Sequence, residues 1–357
     1  MEQGLNMTIN ELPSKTWNWL HMNDTQLENI QIPEEKPLTD EQWKTDTEAW
    51  KTFQEITSGM GKDMDTLIKR SGAATHVYKA PTGEKTKEPV KLTFDYKEGA
   101  CEVSALGIRA EEDSEVTVIM DYTSDKSASG QAAVQTKIVA EKNAKVRLVQ
   151  IDRLGNKFTL LNDIGALCKD GADVEVLQLV LGGENTYLGC KATLLGKGSN
   201  LSAETGYLVE NDGVLDMNYV AEHQGKKTTS DMRAAGVLRD QAKKLYRGTI
   251  DFKKGAKGAV GNEKEDVLLL DEEVVNRTIP LILCAEEDVE GNHGATIGKL
   301  DDELLFYLES RGLTKEEVYE MMAQARIDEI SRKIPDLETR KKIFEFQGRT
   351  FEAEEQV

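Results

Sequence analysis

Three stretches carry the fold: Glu115-Val116-Thr117-Val118-Ile119-Met120, KVRLVQI at 145–151 and DVEVLQLVL at 173–181. Each is rich in Val, Ile and Leu, and each follows a turn-like triplet: Glu112-Asp113-Ser114, Lys142-Asn143-Ala144 and Asp170-Gly171-Ala172. A fourth triplet, Lys197-Gly198-Ser199, precedes Leu201. The first apolar positions, Val116, Val146, Val174 and Leu201, are separated by 30, 28 and 27 residues. A near-constant period of that length marks a stacked repeat. No helical periodicity lies between these strands, which favours a β-solenoid over an α/β sheet. A β-sandwich would place its strands roughly 8–12 residues apart, a poorer fit.

A single coil of such a solenoid cannot bury its apolar face alone. Stacking satisfies the backbone through neighbouring coils and merges the inward residues into one core. Gly182-Gly183 and Gly196-Lys197-Gly198 supply sharp corners. The end of the ladder is a sheet edge that needs a cap or a partner. Outward from the strands, helical patterns are expected at both termini, where they could act as covers. Trp17, Trp19 and Leu20 form an apolar knot after Pro13, and Trp43, Trp50 and Phe53 recur as on one helix face. These suggest a helical cap over residues 1 to about 70. The polar run Pro81–Pro89 reads as a connector.

Beyond residue 298 the helical signals are sharper. Asp301 or Asp302 caps a helix that carries Leu304, Leu305 and Leu308 and stops at Gly312. Thr314 and Glu317 make a capping box for the next helix, with Val318, Met321, Met322 and Ala325 as its apolar stripe. Pro335 opens a third helix with Leu337, Lys341 and Phe344 along one side. The stripe is expected to pack on the solenoid end, and the acidic tail Glu352–Val357 to fray. The chain thus divides into an N-terminal helical region and connector (1–85), a β-helix core (86–298) and a C-terminal helical region (299–357).

A net charge of -19 argues against nucleic acid and anionic lipid as partners. No run approaches the roughly 20 apolar residues of a membrane helix, and Met1–Asn10 has no basic region leading into an apolar one. Cys101, Cys168, Cys190 and Cys284 are too widely spaced for a local metal or cluster site and read as reduced, buried thiols. Phosphate-loop, nucleophile-elbow and zinc-protease motifs are all missing. His21 and His76 read as surface residues, and His223 as a structural or exposed residue of a turn-rich loop. His293 stands apart, with glycines on either side of Asn292-His293 and the acids Glu286, Glu287, Asp288 and Glu290 before it. The flanking glycines read as a loop, and by its spacing alone His293 is more simply a loop histidine without a function; neutral imidazole is nevertheless a good iron ligand, and Cys284 is a soft candidate co-ligand, although burial suits it equally well.

One stretch joins these signals: His293-Gly294-Ala295-Thr296-Ile297-Gly298, Leu300-Asp301-Asp302-Glu303, Phe306-Tyr307-Leu308 and Ser310-Arg311-Gly312. It resembles the carboxy-terminal signature of the SufB/SufD family of iron–sulfur cluster assembly proteins. Thr228-Thr229-Ser230-Asp231, Arg247-Gly248, and Leu12-Pro13 with Trp17 and Leu20 resemble further motifs of that family. The resemblance covers most of the chain and is weakest over residues 22–85. It implies a mainly β fold, a right-handed parallel β-helix with helical N- and C-terminal segments.

The resemblance also implies a role. The chain would be a non-catalytic cytoplasmic scaffold, dimerising through its β-helix with a SufB-like paralogue or with itself. It would dock the SufC ATPase through residues near 301–346, with Leu304, Phe306, Tyr307, Arg311, Val318, Met321 and Met322 as docking residues. His293 would serve cluster assembly at the dimer interface. The isolated chain would hold no cofactor and no tightly bound metal; the cluster would be transient, and ATP would bind the partner only. SufD-type chains often carry a cysteine two residues before this histidine, where Gly291 stands here. The SufB branch has H-E-A in place of H-G-A, so the SufD-like branch is the closer match. The alternatives are a stand-alone homodimeric cluster scaffold and, from another class, a carbohydrate-active β-helix enzyme such as a polysaccharide lyase.

Overall fold

The structure, a computed structural model, describes residues 4–38, 40–45 and 47–351, with side chains for all of these but 47–50. Eight coils stack into a parallel β-solenoid, and each coil gives one strand to each of two sheets. The first sheet holds Val90–Asp95, Glu115–Thr123, Lys145–Arg153, Asp173–Val180, Asn200–Val209, Thr229–Leu238, Ala259–Leu269 and Val289–Lys299. The second holds Thr75–Ala80, Ala100–Ala110, Ser129–Ala140, Lys157–Cys168, Asn185–Leu194, Val214–His223, Lys243–Phe252 and Val275–Cys284. The short strand Lys44–Thr45 extends the second sheet at its N-terminal edge.

The repeat read from the sequence is the register of the first sheet. Val116 pairs with Val146, Val146 with Val174, and Val174 with Leu201. All four are buried in the lumen. A one-residue slip would turn each of these faces outward, so the apolar column fixes the pairing. The middle residue of each triplet takes the left-handed conformation: Asp113 at φ 58°, Asn143 at 54°, Gly171 at 65° and Gly198 at 69°. That conformation lets each N–H reach the adjacent coil. Asp113 donates to the Lys142 carbonyl at 3.0 Å, Asn143 to Asp170 at 2.8 Å, and Gly171 to Lys197 at 2.9 Å. Gly, Asn and Asp occupy these corners because they tolerate left-handed backbone best. The column continues through Lys227 and Gly258, two copies that the strand pattern did not reveal.

The N-terminal 70 residues differ from the expected helical cap. They contain an antiparallel hairpin, Leu5–Ile9 with Thr25–Ile30, as well as two short helices, α1 (Thr47–Gln54) and α2 (Lys62–Ser71). Met7, Ile9, Leu27, Met64 and Leu67 pack on Val103, Ala133 and Leu161, outward-facing residues of the second sheet. The segment therefore lies along the flank of the solenoid and not over its end. Met7 and Ile9 alternate as a strand does, a short pattern hidden beside the tryptophans. Trp17, Trp19 and Leu20 form no knot; they are exposed, Trp19 at 96%. Trp43 precedes α1 and packs against Tyr78, while the Trp50 side chain lies outside the described residues. The connector 81–89 is the first corner of the solenoid, because Thr75–Ala80 already pairs with Ala100–Ala110.

The C-terminal helices are α3 (Asp302–Ser310), α4 (Lys315–Ser331) and α5 (Leu337–Phe346). Asp301 caps α3 by accepting from Glu303 and Leu304 N–H, and both halves of the Thr314–Glu317 capping box form. The buried stripe of α4 is Val318, Ala323, Ile327 and Ile330, displaced from the expected Val318, Met321, Met322 and Ala325. Ile327, Ile330, Ile334 and Ile343 pack on Ile119, Val149, Ile151, Leu177 and Leu179. These helices thus cover the outer face of the first sheet and, among the described residues, leave the last coil's edge unpaired, contrary to the expected packing on the solenoid end. Outward apolar residues such as Val149 and Leu177 give that face an apolar surface to bury. The tail Glu352–Val357 lies outside the described residues.

Candidate functional site

The last coil ends both sheets. Val289–Lys299 has one strand neighbour, Ala259–Leu269, and Val275–Cys284 has one, Lys243–Phe252. Both keep a free edge among the described residues. Val289–Lys299 is almost wholly exposed. His293 lies in this strand and not in a loop, and it is exposed on the free edge. The glycines around it, read as a loop signal, extend the strand instead. Asn262 and Asn292 side chains hydrogen-bond across the coil step at 3.0 Å, which locks the register.

Register and strand alternation define what lies beneath this mouth. Glu263 pairs with His293, and Met232 with Glu263, so these three share the inward face of the first sheet. On the opposite wall Lys244 pairs with Asn276 and Tyr246 with Thr278. Cys284 closes a third inward column, His223–Phe252–Cys284. Cys284 is exposed at the strand end, and its Sγ lies 3.0 Å from the Glu286 carbonyl. His293 and Cys284 thus stand on the two walls of one mouth.

The lumen becomes charged near this end. Lys244, Glu263 and Glu265 are all buried. Lys244 ion-pairs with Glu265, whose other oxygen accepts from Thr278 Oγ1. Burial pulls the Lys244 ammonium below its usual range, against the pull of Glu265. Burial, and then the Glu265 charge, push the Glu263 carboxyl up to about 8. Glu263 Oε2 is buried with no hydrogen-bond partner. Gly248 makes room for this carboxyl: a Cβ at 248 would overlap Glu263 Oε1. Deeper in the lumen lies an uncharged chain in which Gln150 donates to Tyr122 Oη at 3.0 Å. It accepts from Asn162 and Gln178, each at 2.9 Å.

The remaining sequence candidates fall elsewhere. His223 is fully buried at a strand end, held by Thr228 Oγ1 at 2.8 Å and Ser230 Oγ at 2.9 Å. His21 is exposed, and His76 contacts Glu35 at 2.9 Å. Cys168 and Cys190 are buried thiols; burial pushes Cys168 up to about 12 and Cys190 higher. Leu304, Phe306, Tyr307 and Met321 are exposed on one helical outcrop, and Arg311 stacks 5.1 Å from the Tyr307 ring. Met322 is half-buried and Val318 fully buried. The outcrop surface therefore consists of the other five. Glu263, Glu265 and Lys244 escaped the sequence reading, although the 30-residue step from Glu263 to His293 continues the period of the repeat.

Residues 94–326 match the family model described as SUF system FeS cluster assembly, SufBD core domain. The chain belongs to the SufBD family. Relatives in the family include an iron–sulfur cluster assembly SufBD family protein of Staphylococcus saprophyticus, 29% identical over 209 residues, 58% of this chain and 45% of that protein. Another, from Staphylococcus haemolyticus, is 29% identical over 199 residues, 56% of this chain and 43% of that protein. The matched stretch thus spans less than half the length of these SufBD relatives. The matched SufBD region begins in the first coil and ends within α4, so it takes in the mouth, His293 and the outcrop.

Among the described residues, no helix is long and apolar enough to cross a membrane. No group of three or more His, Cys, Asp and Glu side chains there is disposed to hold a metal ion. Glu263 Oε2, in the coil beneath His293, lacks a hydrogen-bond partner.

Proposed function

We propose that this chain is a SufD-like, non-catalytic scaffold subunit of a cytoplasmic iron–sulfur cluster assembly complex. The observation that carries the reading is the position of His293, exposed on the free edge strand of an open solenoid within the SufBD core. A row of unpaired N–H and C=O groups is a template for another strand. A second family solenoid, either a SufB-like paralogue or another copy of this chain, would extend the sheets and bring its own donors to His293. The iron–sulfur cluster is cargo that the two mouths enclose together, and one chain supplies too few ligands to hold it. The α3–α4 outcrop docks a SufC-like ATPase, which binds the nucleotide and transmits its motion through α4 to the first sheet.

The test is anaerobic cluster formation by the complete complex. His293→Ala should keep its fold, because the side chain is exposed, and should slow cluster formation at least tenfold. An unchanged rate removes His293 from the mechanism. A stoichiometric chromophore on the purified chain alone would instead make it a self-sufficient homodimeric scaffold.

A further inference from the structure

We propose that the turn of the N-terminal hairpin is a clasp for a second copy of this chain, seated where the solenoid ends. The hairpin runs along the stack from coil to coil. Near its base the Gln31 carbonyl accepts from Gln131 Nε2 in the third coil at 3.0 Å, and Met7 and Leu27 pack on the second to fourth coils. Further on, Asn10 and Thr25 donate to Asp216 in the sixth coil, and Arg247 in the seventh donates to Thr25 and to the Met22 carbonyl. Leu12 and Met22 pack on Ile279 in the eighth coil, whose strand Val275–Cys284 has a free edge among the described residues. The turn between them, residues 13–21, therefore closes the hairpin beside that edge.

The turn is hydrogen-bonded within and apolar without. Trp17 N–H donates to Asn23 Oδ1 at 2.8 Å, Asn23 Nδ2 to Asn18 Oδ1 at 2.6 Å, and Leu12 N–H to the Asn23 carbonyl at 2.7 Å. The buried Asn23 thus ties both sides of the turn together, while Trp17, Trp19 and Leu20 stand out in solvent. Tryptophans on a backbone already fixed lose little conformational freedom on binding, and they are among the commonest anchors of protein interfaces.

Placement names the occupant. A strand pairing with Val275–Cys284 would stand about 4.8 Å away, so its chain would pass beside the turn. Another copy brings a matching surface. Val275 and Leu283 share the outward face of Ile279; Val275 is exposed and Leu283 half-buried. Edge, turn and receiving face then form one self-complementary patch, as a two-fold dimer requires. A net charge of -19 disfavours an anionic lipid surface as the occupant. The inference rests on the edge pairing of the proposed function and adds side-chain contacts that strand pairing alone lacks.

Equilibrium sedimentation of the full chain tests it. The wild type should dimerise, and Trp19→Ser should weaken the dimer by about tenfold or more. Its circular dichroism spectrum should not change, because the side chain is 96% exposed. Leu283→Ser, on the receiving face, should weaken the dimer similarly. Should that variant fail to fold, Trp19→Ser decides alone. A Trp19→Ser dimer as tight as the wild type overturns the clasp and leaves edge pairing standing. A wild-type chain that stays monomeric at every concentration overturns it too, whether the turn then engages a SufB-like paralogue or phosphatidylcholine vesicles. Slowed cluster formation in His293→Ala beside an unweakened Trp19→Ser dimer sinks the clasp alone. A weakened Trp19→Ser dimer beside normal cluster formation in His293→Ala supports the clasp and sinks the scaffold role of His293.

Discussion

Arg247 Nη1 lies 2.7 Å from Asp216 Oδ1 with its guanidinium fully buried, and this pair binds the N-terminal segment to the solenoid. Arg247 also donates to the Met22 carbonyl at 2.8 Å and to Thr25 Oγ1 at 3.0 Å. Asp216 accepts from Asn10 at 2.7 Å and from Thr25 at 2.6 Å. Asp216→Ala leaves the guanidinium buried and uncompensated, at a cost of about 3–5 kcal/mol. Urea denaturation should show that loss, and limited proteolysis should cut the loop around Trp19 faster. A loss below about 1 kcal/mol, the range of an exposed pair, would show that the contact is dispensable.

The corner column gives a graded stability series. Gly198 has φ 69° and open space where a Cβ would stand, so Gly198→Ala adds only left-handed strain, about 1–2 kcal/mol. Gly171→Ala adds a clash as well, because its Cβ would lie 2.5 Å from Asn143 Oδ1. Asn143→Gly should be nearly neutral. Thermal unfolding should rank Gly171→Ala as the most damaging and Asn143→Gly as the least; equal effects would mean that the corners tolerate any residue.

Buried acids set the pH response. Burial raises the Asp152 carboxyl to about 7 and that of Asp163 to about 6. In the folded chain each keeps its proton to higher pH than in the unfolded chain. Stability from these groups is therefore full below about pH 4 and falls as pH rises through 6 and 7. Asp152→Asn removes one such group. Its stability relative to the wild type should climb as pH rises from about 4 to 7, with a slope of up to about 1.4 kcal/mol per pH unit, and then level off. A pH-independent difference between the two proteins would refute this.

The helical outcrop separates binding from folding. Phe306 is 73% exposed, so Phe306→Asp should alter stability by no more than about 0.5 kcal/mol. In the proposed complex it should abolish co-purification of the ATPase. Val318→Asp buries a charge beneath α4 and should unfold the outcrop itself. Retention of the ATPase by Phe306→Asp would move the docking surface elsewhere.

The solenoid was legible because its determinant is local and repeated. Val116, Val146, Val174 and Leu201 recur with the coil, and Asp113, Asn143, Gly171 and Gly198 mark its corners. The caps of α3 and α4 were legible for the same reason: Asp301 and the Thr314–Glu317 box act within one helical turn. His293 and its motif were visible, but its glycines read as a loop, since a strand free on one side needs no apolar alternation. The N-terminal hairpin was masked because its partners, Val103, Ala133 and Leu161, lie between 76 (103−27) and 154 (161−7) residues away.

The sequence by itself determined the coil period, the corner chemistry, the helix starts and the family signature, since each depends on residues near one another or on a fixed step. Only the tertiary structure decided that the helices cover the flank, that the last coil keeps a free edge among the described residues, and that Glu263 and Lys244 lie buried in the coil beneath His293 and Cys284. Such placements depend on how coils stack in space, where register turns a separation of 30 residues into a contact between neighbours.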